Sequence, residues 1–249
     1  MSRLDSRVAI VTGGASGFGE GIARRFVAEG ARVVIADLNA DAANLIAREL
    51  GTAAVAVATD VSKDADIANL ADITLHKFGR IDIVVNNAGM GQSPQPLDTM
   101  PAEMFESLVA VNIRSIYLMS QHIVPKMKAA KRGAILNIAS TAGVSPRPNL
   151  TWYNASKGWV ITATRSMAVE LAPFGIRVNA LNPVAGETPM LKTFMGEDTP
   201  EIRARFLSTI PLGRFSTPED IASAAAFLCS DEASMITGVA LEVDGGRCI

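Results

Sequence analysis

Cysteine and histidine are scarce in this sequence, and their scarcity argues against two classes of site. The 249 residues include two cysteines, Cys229 and Cys248, and two histidines, His76 and His122. Two cysteines are too few for a disulfide framework, and none of these four residues has the spacing of metal ligands. The sequence therefore predicts no metal site. Cys229 lies in an apolar helical pattern and is predicted to be a small core residue.

A strong charge imbalance and long apolar runs are also lacking. The formal net charge is −2, which gives no sign of a nucleic-acid or anionic-membrane partner. No run approaches the ~20 apolar residues that a membrane helix needs. Residues 1–12 do not have the pattern of a secretory signal peptide. These absences predict a cytoplasmic protein with reduced thiols.

Aromatic residues make up only 5% of a chain that is 49% hydrophobic, so most of its apolar residues are Ala, Val, Ile and Leu. Short apolar runs alternate with longer helical patterns, as in βαβ units whose parallel sheet is covered by helices on both faces. No linker or repeat divides the chain, so residues 1–249 are predicted to form one α/β domain. The predicted strands are 8–11, 32–36, 53–58, 81–85, 134–138, 176–181 and 239–243, and the main predicted helices are 17–29, 40–50, 63–78, 101–127, 152–172 and 218–229.

Three irregular stretches follow predicted strands, at 91–100, 140–150 and 184–200. Ligands of open α/β sheets bind at the carboxyl ends of the strands, so these stretches are predicted to form the walls of a site. The segment 191–200 is interpreted as a flexible lid over the substrate.

Tyr153 and Lys157 carry the strongest chemical signal. They stand four residues apart in a predicted helix, so their side chains share one face. Tyrosine alone titrates near pH ~10, and a nearby positive charge lowers that pKa. The pair is therefore predicted to be an acid/base that moves a proton on or off an oxygen near neutral pH.

A glycine-rich turn follows the first strand, in the order Thr12-Gly13-Gly14-Ala15-Ser16-Gly17-Phe18-Gly19. Glycines let the backbone approach a pyrophosphate, and the helix that follows offers free N–H groups and the positive end of its dipole. The spacing is Gly-x-x-x-Gly-x-Gly rather than the commoner Gly-x-Gly-x-x-Gly, and a plain strand–helix connection is the alternative.

Asp37 supports the nucleotide interpretation. It ends the second strand, about 20 residues beyond the glycines, where a carboxylate accepts hydrogen bonds from the ribose hydroxyls of NAD. The same carboxylate would repel the 2′-phosphate of NADP, and no Arg or Lys stands in the turn or at positions 38–39. We therefore predict NAD. The alternative is that Asp37 only stabilises the turn before Asn39.

Further polar residues follow the third and fourth strands. Asp60 and Val61 lie at the edge where adenine would bind, although Asp60 or Ser62 would equally serve as a helix N-cap. The run Asn86-Asn87-Ala88-Gly89 suits irregular backbone and is also typical of turns. Asn112 sits in an apolar helical stretch, where a buried amide needs hydrogen-bond partners, so it marks a kink or holds a water.

With these motifs in order, the chain resembles the short-chain dehydrogenase/reductase family over essentially its full length. Thr12 to Gly19 resembles the family's cofactor turn, Asp60 its adenine-side aspartate, and Asn86 to Gly89 its Asn-Asn-Ala-Gly signature. The residues that resemble its catalytic tetrad are Asn112, Ser140, Tyr153 and Lys157. The resemblance implies a single-domain Rossmann-type fold, a doubly wound parallel β-sheet of about seven strands flanked by helices on both faces.

The resemblance also implies hydride transfer with NAD. Tyr153 takes a proton from a substrate hydroxyl or returns it, and Lys157 lowers the tyrosine pKa and holds the nicotinamide ribose. Ser140 positions the substrate oxygen, and Asn112 holds a water that links Lys157 to solvent. The residues implied in cofactor binding are Gly13, Ser16, Gly17, Phe18, Gly19, Asp37, Asp60, Val61, Asn87, Ala88, Gly89, Tyr153, Lys157, Pro183, Gly186 and Thr188.

One segment departs from the family's pattern. Where the family has Pro-Gly-x-Ile/Val-x-Thr, this chain has Pro183-Val184-Ala185-Gly186-Glu187-Thr188. The length is kept, so the Gly186 backbone and the Thr188 side chain are predicted to bind the carboxamide of the cofactor. The glycine at 186 is predicted to allow a turn with a positive φ.

The sequence leaves the substrate open. Arg147 would bind a carboxylate or phosphate, or be a solvated loop residue. Glu187 would bind a polyol hydroxyl, or be a surface residue. The helices at 152–172 and 218–229 are apolar enough to be buried in the core or at a subunit contact, and the resemblance favours a homotetramer. Candidate pocket residues are Gly91, Gln92, Ser93, Thr141, Ala142, Arg147 and Glu187.

The leading hypothesis is an NAD-dependent dehydrogenase of a small-molecule alcohol, polyol, sugar or hydroxy acid. A 3-oxoacyl-carrier-protein reductase is the alternative within the enzyme class, and Asp37 argues against it because such reductases mostly use NADPH. A non-catalytic NAD-binding sensor is the alternative from another class. The intact Ser140, Tyr153 and Lys157 argue against a sensor, which has no need of an acid/base pair.

Overall fold

The strands form one parallel sheet in the computed structural model, which describes residues 2–249. They are β1 Val8–Thr12, β2 Arg32–Asp37, β3 Ala54–Ala58, β4 Ile83–Asn86, β5 Gly133–Ile138, β6 Ile176–Pro183 and β7 Ala240–Val243. Their order across the sheet is β3-β2-β1-β4-β5-β6-β7. The strand order therefore reverses between β1 and β4, and such a switch point leaves a crevice at the carboxyl ends of the strands.

Helices connect the strands and agree with the predicted ones to within a few residues. They are α1 Gly17–Ala28, α2 Ala40–Leu50, α3 Asp64–Phe78, α4 Ala102–Val109, α5 Ser115–Ala130, α6 Thr151–Leu171, α7 Leu191–Met195, α8 Pro200–Leu207 and α9 Pro218–Cys229. Cys229, at the end of α9, is buried as predicted.

Both faces of the sheet are covered, because successive strand residues point to opposite sides. In β1, Ala9 and Val11 belong to the core on one face with Phe26 of α1 and residues of α2 and α9. Ile10 belongs to the core on the other face with Leu70 of α3 and residues of α5 and α6. This burial on two sides explains why the central strands are largely apolar, and it confirms the predicted doubly wound α/β fold.

The predicted helical region 101–127 is interrupted at Asn112. A π-helical turn spans Ala110–Arg114 and separates α4 from α5. Single π turns inside α-helices often occur at functional sites. The interruption falls at Asn112, which was predicted to mark a kink or hold a water, and it is a widened turn rather than a loop.

Residues 184–200 are more regular than predicted. They contain the short helix α7 and lead into α8, and Val184, Leu191, Met195, Ile210 and Phe215 form a small buried apolar cluster of their own. Within the described residues, no helix combines the length and apolar character needed to cross a bilayer.

Candidate active site

A cleft of about 530 Å³ opens at the carboxyl ends of the strands, a volume in the usual range for small-molecule sites. It brings together every residue proposed above for cofactor binding or catalysis except Gly19 and Asn112, which lie just behind its wall. The lining residues that the sequence predicted are Gly13, Ser16, Gly17, Phe18, Asp37, Asp60, Val61, Asn87, Ala88, Gly89, Ser140, Tyr153, Lys157, Pro183, Gly186 and Thr188.

The glycine-rich turn leads from β1 into the start of α1. Ser16 is the N-cap of α1, and its side chain makes no capping hydrogen bond. The first N–H groups of this helix are therefore not satisfied by a side-chain cap, and they can bind an anion. Glycine is required at 19, because a Cβ atom there would lie 2.0 Å from the carbonyl oxygen of Gly13.

The Asp37 carboxylate holds the glycine-rich turn against the end of β2. One oxygen accepts from the Ala15 N–H at 2.9 Å and the other from the Asn39 N–H at 2.9 Å. Each oxygen accepts one hydrogen bond here, so each keeps a lone pair for a ribose hydroxyl. The turn-stabilising role that was the alternative for Asp37 is therefore present, and it leaves the capacity for a ribose intact.

The Asp60 carboxylate is engaged by its neighbours after β3. One oxygen accepts from the backbone N–H of Ser62 at 3.0 Å and from its hydroxyl at 2.6 Å. The Ser62 hydroxyl is the main cause that lowers the pKa of Asp60. The N-cap of α3 is Lys63, so the alternative that Asp60 or Ser62 caps this helix is wrong.

Asn87 and Thr12 join the ends of β1 and β4. The Asn87 side chain donates to the carbonyl oxygens of Thr12 and Gly13, at 2.9 and 3.1 Å. The Thr12 hydroxyl accepts from the N–H groups of Asn87 and Ala88, both at 3.0 Å. These bonds fix the floor of the cleft at the point where the strand order reverses.

Tyr153 and Lys157 are both buried on one face of α6, as their spacing predicted. Lys157 donates from Nζ to the Ile138 carbonyl oxygen at 2.9 Å, and Nζ lies 5.8 Å from the centre of the Tyr153 ring. Burial lowers the pKa of Lys157 to about 8. Burial also raises the pKa of Tyr153 to about 12, and the hydrogen bond with Ser140 opposes this rise.

The predicted net lowering of the Tyr153 pKa is therefore not what this chain shows, because burial raises that pKa. Removing the phenol from water disfavours the phenolate more than its neighbours favour it. The phenol is protonated at neutral pH, which is the form that donates a proton.

Asn112 connects the π-helical turn to both sides of the site. Its Oδ1 accepts from the Met90 N–H at 2.7 Å, and its Nδ2 donates to the Met90 carbonyl oxygen at 3.0 Å and to the Ser156 hydroxyl at 3.1 Å. Both amide hydrogens are used, so only one lone pair of Oδ1 remains. Asn112 thus fixes the loop after β4 to α6, beside Lys157.

Gln92 has a role that the sequence analysis missed. It was a candidate pocket residue, but it is fully buried and does not line the cleft. Its Oε1 accepts from the Tyr153 N–H at 3.0 Å, and its Nε2 donates to the Asn149 carbonyl oxygen at 3.3 Å. Since Leu150, the N-cap of α6, offers no side-chain cap, Gln92 supplies one from another loop.

The departure from the family's pattern at 184–186 has a packing explanation. Val184 is buried in the apolar cluster under α7. Gly186 does not have the predicted positive φ. A Cβ there would lie 2.4 Å from the Phe18 ring, so this glycine makes room for the aromatic side chain. Thr188 packs against Gly17, as its predicted place on the cofactor side requires.

The other candidate pocket residues divide into two groups. Gly91, Thr141, Ala142 and Arg147 line the cleft. Glu187 and Ser93 do not, and Glu187 pairs with Arg203 at 3.0 Å on the surface. The ring of Phe194 in α7 lies 5.0 Å from that of Tyr153, so the segment interpreted as a lid lies over the tyrosine.

Comparisons with known proteins show similarity over nearly the full length of this chain. The sequence model of the family described as Enoyl-(Acyl carrier protein) reductase matches residues 13–247. The chain is 50% identical over 250 residues to a 4-formylbenzenesulfonate dehydrogenase of Comamonas testosteroni, with 99% of each chain covered.

Two solved structures share both the fold and much of the sequence. A 3-ketoacyl-(acyl-carrier-protein) reductase from Brucella melitensis, complexed with NADH, is 52% identical with a TM-score of 0.94, and the match covers 99% of this chain and 100% of that one. A 7α-hydroxysteroid dehydrogenase, complexed with NADH and 7-oxo glycochenodeoxycholic acid, is 40% identical with a TM-score of 0.92, and the match covers 98% and 95%.

Proposed function

The chain belongs to the short-chain dehydrogenase/reductase family, and we propose that it transfers a hydride between NAD(H) and a secondary alcohol or ketone. One observation carries the proposal. Buried Tyr153, with Lys157 and Ser140, lines the same cleft as the glycine-rich turn and Asp37. A proton-transferring group and a dinucleotide cradle in one cleft are what a dehydrogenase requires.

The residues of the cleft fit NAD. The start of α1, with no side-chain cap, would take the pyrophosphate, and Asp37 has a lone pair on each oxygen for the adenosine ribose. Of the described residues that line the cleft, Arg147 and Lys157 are the cations, so none stands in the turn or next to Asp37 to neutralise a 2′-phosphate. The NADH in two solved relatives supports the same choice.

At the other end of the proposed cofactor site, Lys157 would hold the nicotinamide ribose. The Gly186 backbone and the Thr188 side chain would hold the carboxamide. Bound NAD would supply the hydride acceptor or donor, which no side chain provides.

The chain's own residues would hold and move the proton. Tyr153 would donate it from the phenolic oxygen to a substrate carbonyl, or accept it from a hydroxyl in the reverse direction. In that reverse direction the Lys157 ammonium would stabilise the phenolate. Ser140 would position the substrate oxygen. The remaining lone pair of Asn112 Oδ1 would accept from a water that links Lys157 to solvent.

The nearest alternative activity is reduction of 3-oxoacyl groups on a carrier protein. The Brucella structure bears that name and holds NADH, so the sequence argument that Asp37 disfavours such a reductase does not separate the two activities. The intact acid/base group continues to argue against a non-catalytic NAD-binding sensor.

An assay of the purified protein would separate these possibilities. NAD would be mixed with a panel of secondary alcohols, polyols, sugars and hydroxy acids, and NADH with acetoacetyl-CoA, while the absorbance of the reduced nicotinamide is followed. We expect turnover in the first panel. Turnover of acetoacetyl-CoA alone would favour the reductase, and tight NAD binding without any turnover would contradict an enzyme.

We further propose a cytoplasmic homotetramer. The apolar side chains of Trp159 and Val169 on α6 are 39% and 80% exposed in the single chain, which supports a subunit contact on this helix. Cys229 and Cys248 are free thiols, consistent with a reducing compartment. Light scattering of the purified protein would test the assembly.

A further inference from the structure

Arg147 lies in the loop between β5 and α6 and lines the cleft on the side of Tyr153. Its guanidinium stacks 4.5 Å from the centre of the Phe206 ring, and its Nη2 donates to the Thr209 hydroxyl at 3.3 Å. The Asn154 side chain donates to the Arg147 carbonyl oxygen at 2.8 Å. Because Asn154 follows Tyr153 in α6, the backbone of Arg147 is held in a fixed place relative to the proposed acid/base.

The positive charge of Arg147 has no carboxylate partner among residues 2–249, although eight other arginines of the chain form ion pairs. Burial lowers the pKa of Arg147, and the charge of Arg247 adds to this. A guanidinium withdrawn from water without an anion is costly, and partly buried charges are normally paired.

Arg177 shows how the chain satisfies a half-buried arginine that has only a structural role. Its guanidinium donates to three carbonyl oxygens, those of Leu228, Ser230 and Ile236. Arg147 instead donates to one hydroxyl, so most of its five N–H donors remain for another partner.

Arg247 contributes a second cation of the same kind. It donates from Nη1 to the Ser145 hydroxyl at 3.3 Å, and its Nε is buried without a hydrogen-bond partner. Because the charge of Arg247 acts against that of Arg147, an anion bound between the two guanidinium groups would relieve this repulsion.

We propose that the substrate carries an anionic group, a carboxylate or a sulfonate, which Arg147 binds with Arg247 close by. The proposal rests on the proposed function, since it names the substrate class of the same cleft. The wall of the same cleft also includes the apolar side chains of Leu150, Met190 and Phe194. The proposed substrate is therefore an alcohol or ketone with an apolar body and an anionic end.

Binding of non-reactive probes tests the anionic end independently of turnover. Calorimetric titrations of the protein with NADH would compare benzoate with benzamide and benzenesulfonate with benzenesulfonamide. We expect each anion to bind about tenfold more tightly or better than its neutral amide, as a charge-assisted hydrogen bond predicts. The preferred anion of the two distinguishes a carboxylate site from a sulfonate site.

Three variants locate the effect. Arg147→Met keeps an apolar chain on Phe206 and should remove the preference for anions, and Arg247→Met should reduce it. Arg205→Met makes the same change of charge at an exposed arginine of α8 and should leave the preference unchanged. For any substrate found to turn over, Arg147→Met should raise KM for anionic substrates more than for neutral ones. Melting temperatures would check that the variants fold.

The outcomes separate this inference from the proposed function. Equal binding of anions and amides, or a preference that survives in Arg147→Met, would overturn the anionic substrate even if alcohols are oxidised. An Arg147-dependent preference without turnover of any alcohol would support the anion site and contradict the dehydrogenase.

Discussion

The two ends of the cleft are constructed in different ways. At the cofactor end, side chains hold backbone: Asp37 holds the glycine-rich turn, and Asn87 and Thr12 join two strand ends. At the substrate end, side chains contact other side chains. The rings of Tyr153 in α6 and Phe194 in α7 lie next to each other, and Arg147, in the loop before α6, stacks on Phe206 of α8.

The charges of the two ends differ as well. The end at the glycine-rich turn presents the carboxylates of Asp37 and Asp60, whereas the two cations that line the cleft are Lys157, beside Tyr153, and Arg147. The comparison shows how one fold can keep a cofactor and change its substrates. Strand ends of a buried sheet fix the first end, while short helices with their own small core form the second and can change without disturbing the sheet.

Tyr153→Phe should show that proton transfer depends on the substrate end of the cleft and not on the cofactor end. The change removes the phenolic oxygen and keeps the ring against Phe194, so turnover should fall by about 10²–10⁴-fold, the usual contribution of a general acid/base. The affinity for NADH, measured by fluorescence titration, should change by less than about twofold. Tyr117→Phe, at a tyrosine that is 54% exposed, is the matched control. Retained turnover would refute the role of Tyr153.

Asp37→Asn should alter the cofactor end alone. The amide can still accept a hydrogen bond from Ala15 or Asn39, but it lacks the charge that repels a 2′-phosphate and binds ribose hydroxyls. The preference for NAD over NADP, as the ratio of kcat/KM values, should narrow by about tenfold, with kcat at saturating NAD little changed. Asp41→Asn, at an exposed aspartate of α2, controls for net charge. An unaltered ratio would show that Asp37 does not contact the ribose.

The cofactor end was predictable because its residues are adjacent in sequence to the strands that place them. Local periodicity is enough to locate the glycine-rich turn after the first strand and the acid at the end of the second. The central strands were predictable for a related reason, since burial on both faces makes them apolar runs.

The substrate end was less predictable because its properties depend on contacts between distant segments. The packing of Val184, the helices α7 and α8, and the steric need for Gly186 all follow from neighbours that are remote in the chain. The raised pKa of Tyr153 is a property of burial, which the spacing of two residues does not reveal. Nothing in the local sequence marks Gln92 as the cap of a helix that begins at Thr151.

Gln92→Met is expected to have the smallest effect, and it tests whether the substrate end depends on positioning as well as on chemistry. The change leaves the buried N–H of Tyr153 without its acceptor, at a cost of about 1–3 kcal/mol in the free energy of unfolding. The start of α6 should then hold the phenol less exactly, so kcat should fall by up to about tenfold with the affinity for NADH unchanged. Gln95→Met, in the same loop, makes the same change where the side-chain amide has, among residues 2–249, one hydrogen bond, to the sulfur of Met104 at 3.6 Å. A lower melting temperature with an unchanged kcat would mean that Gln92 stabilises the loop but does not position the tyrosine. A fall in kcat larger than that of Gln95→Met would show that a buried residue outside the cleft positions Tyr153 for catalysis.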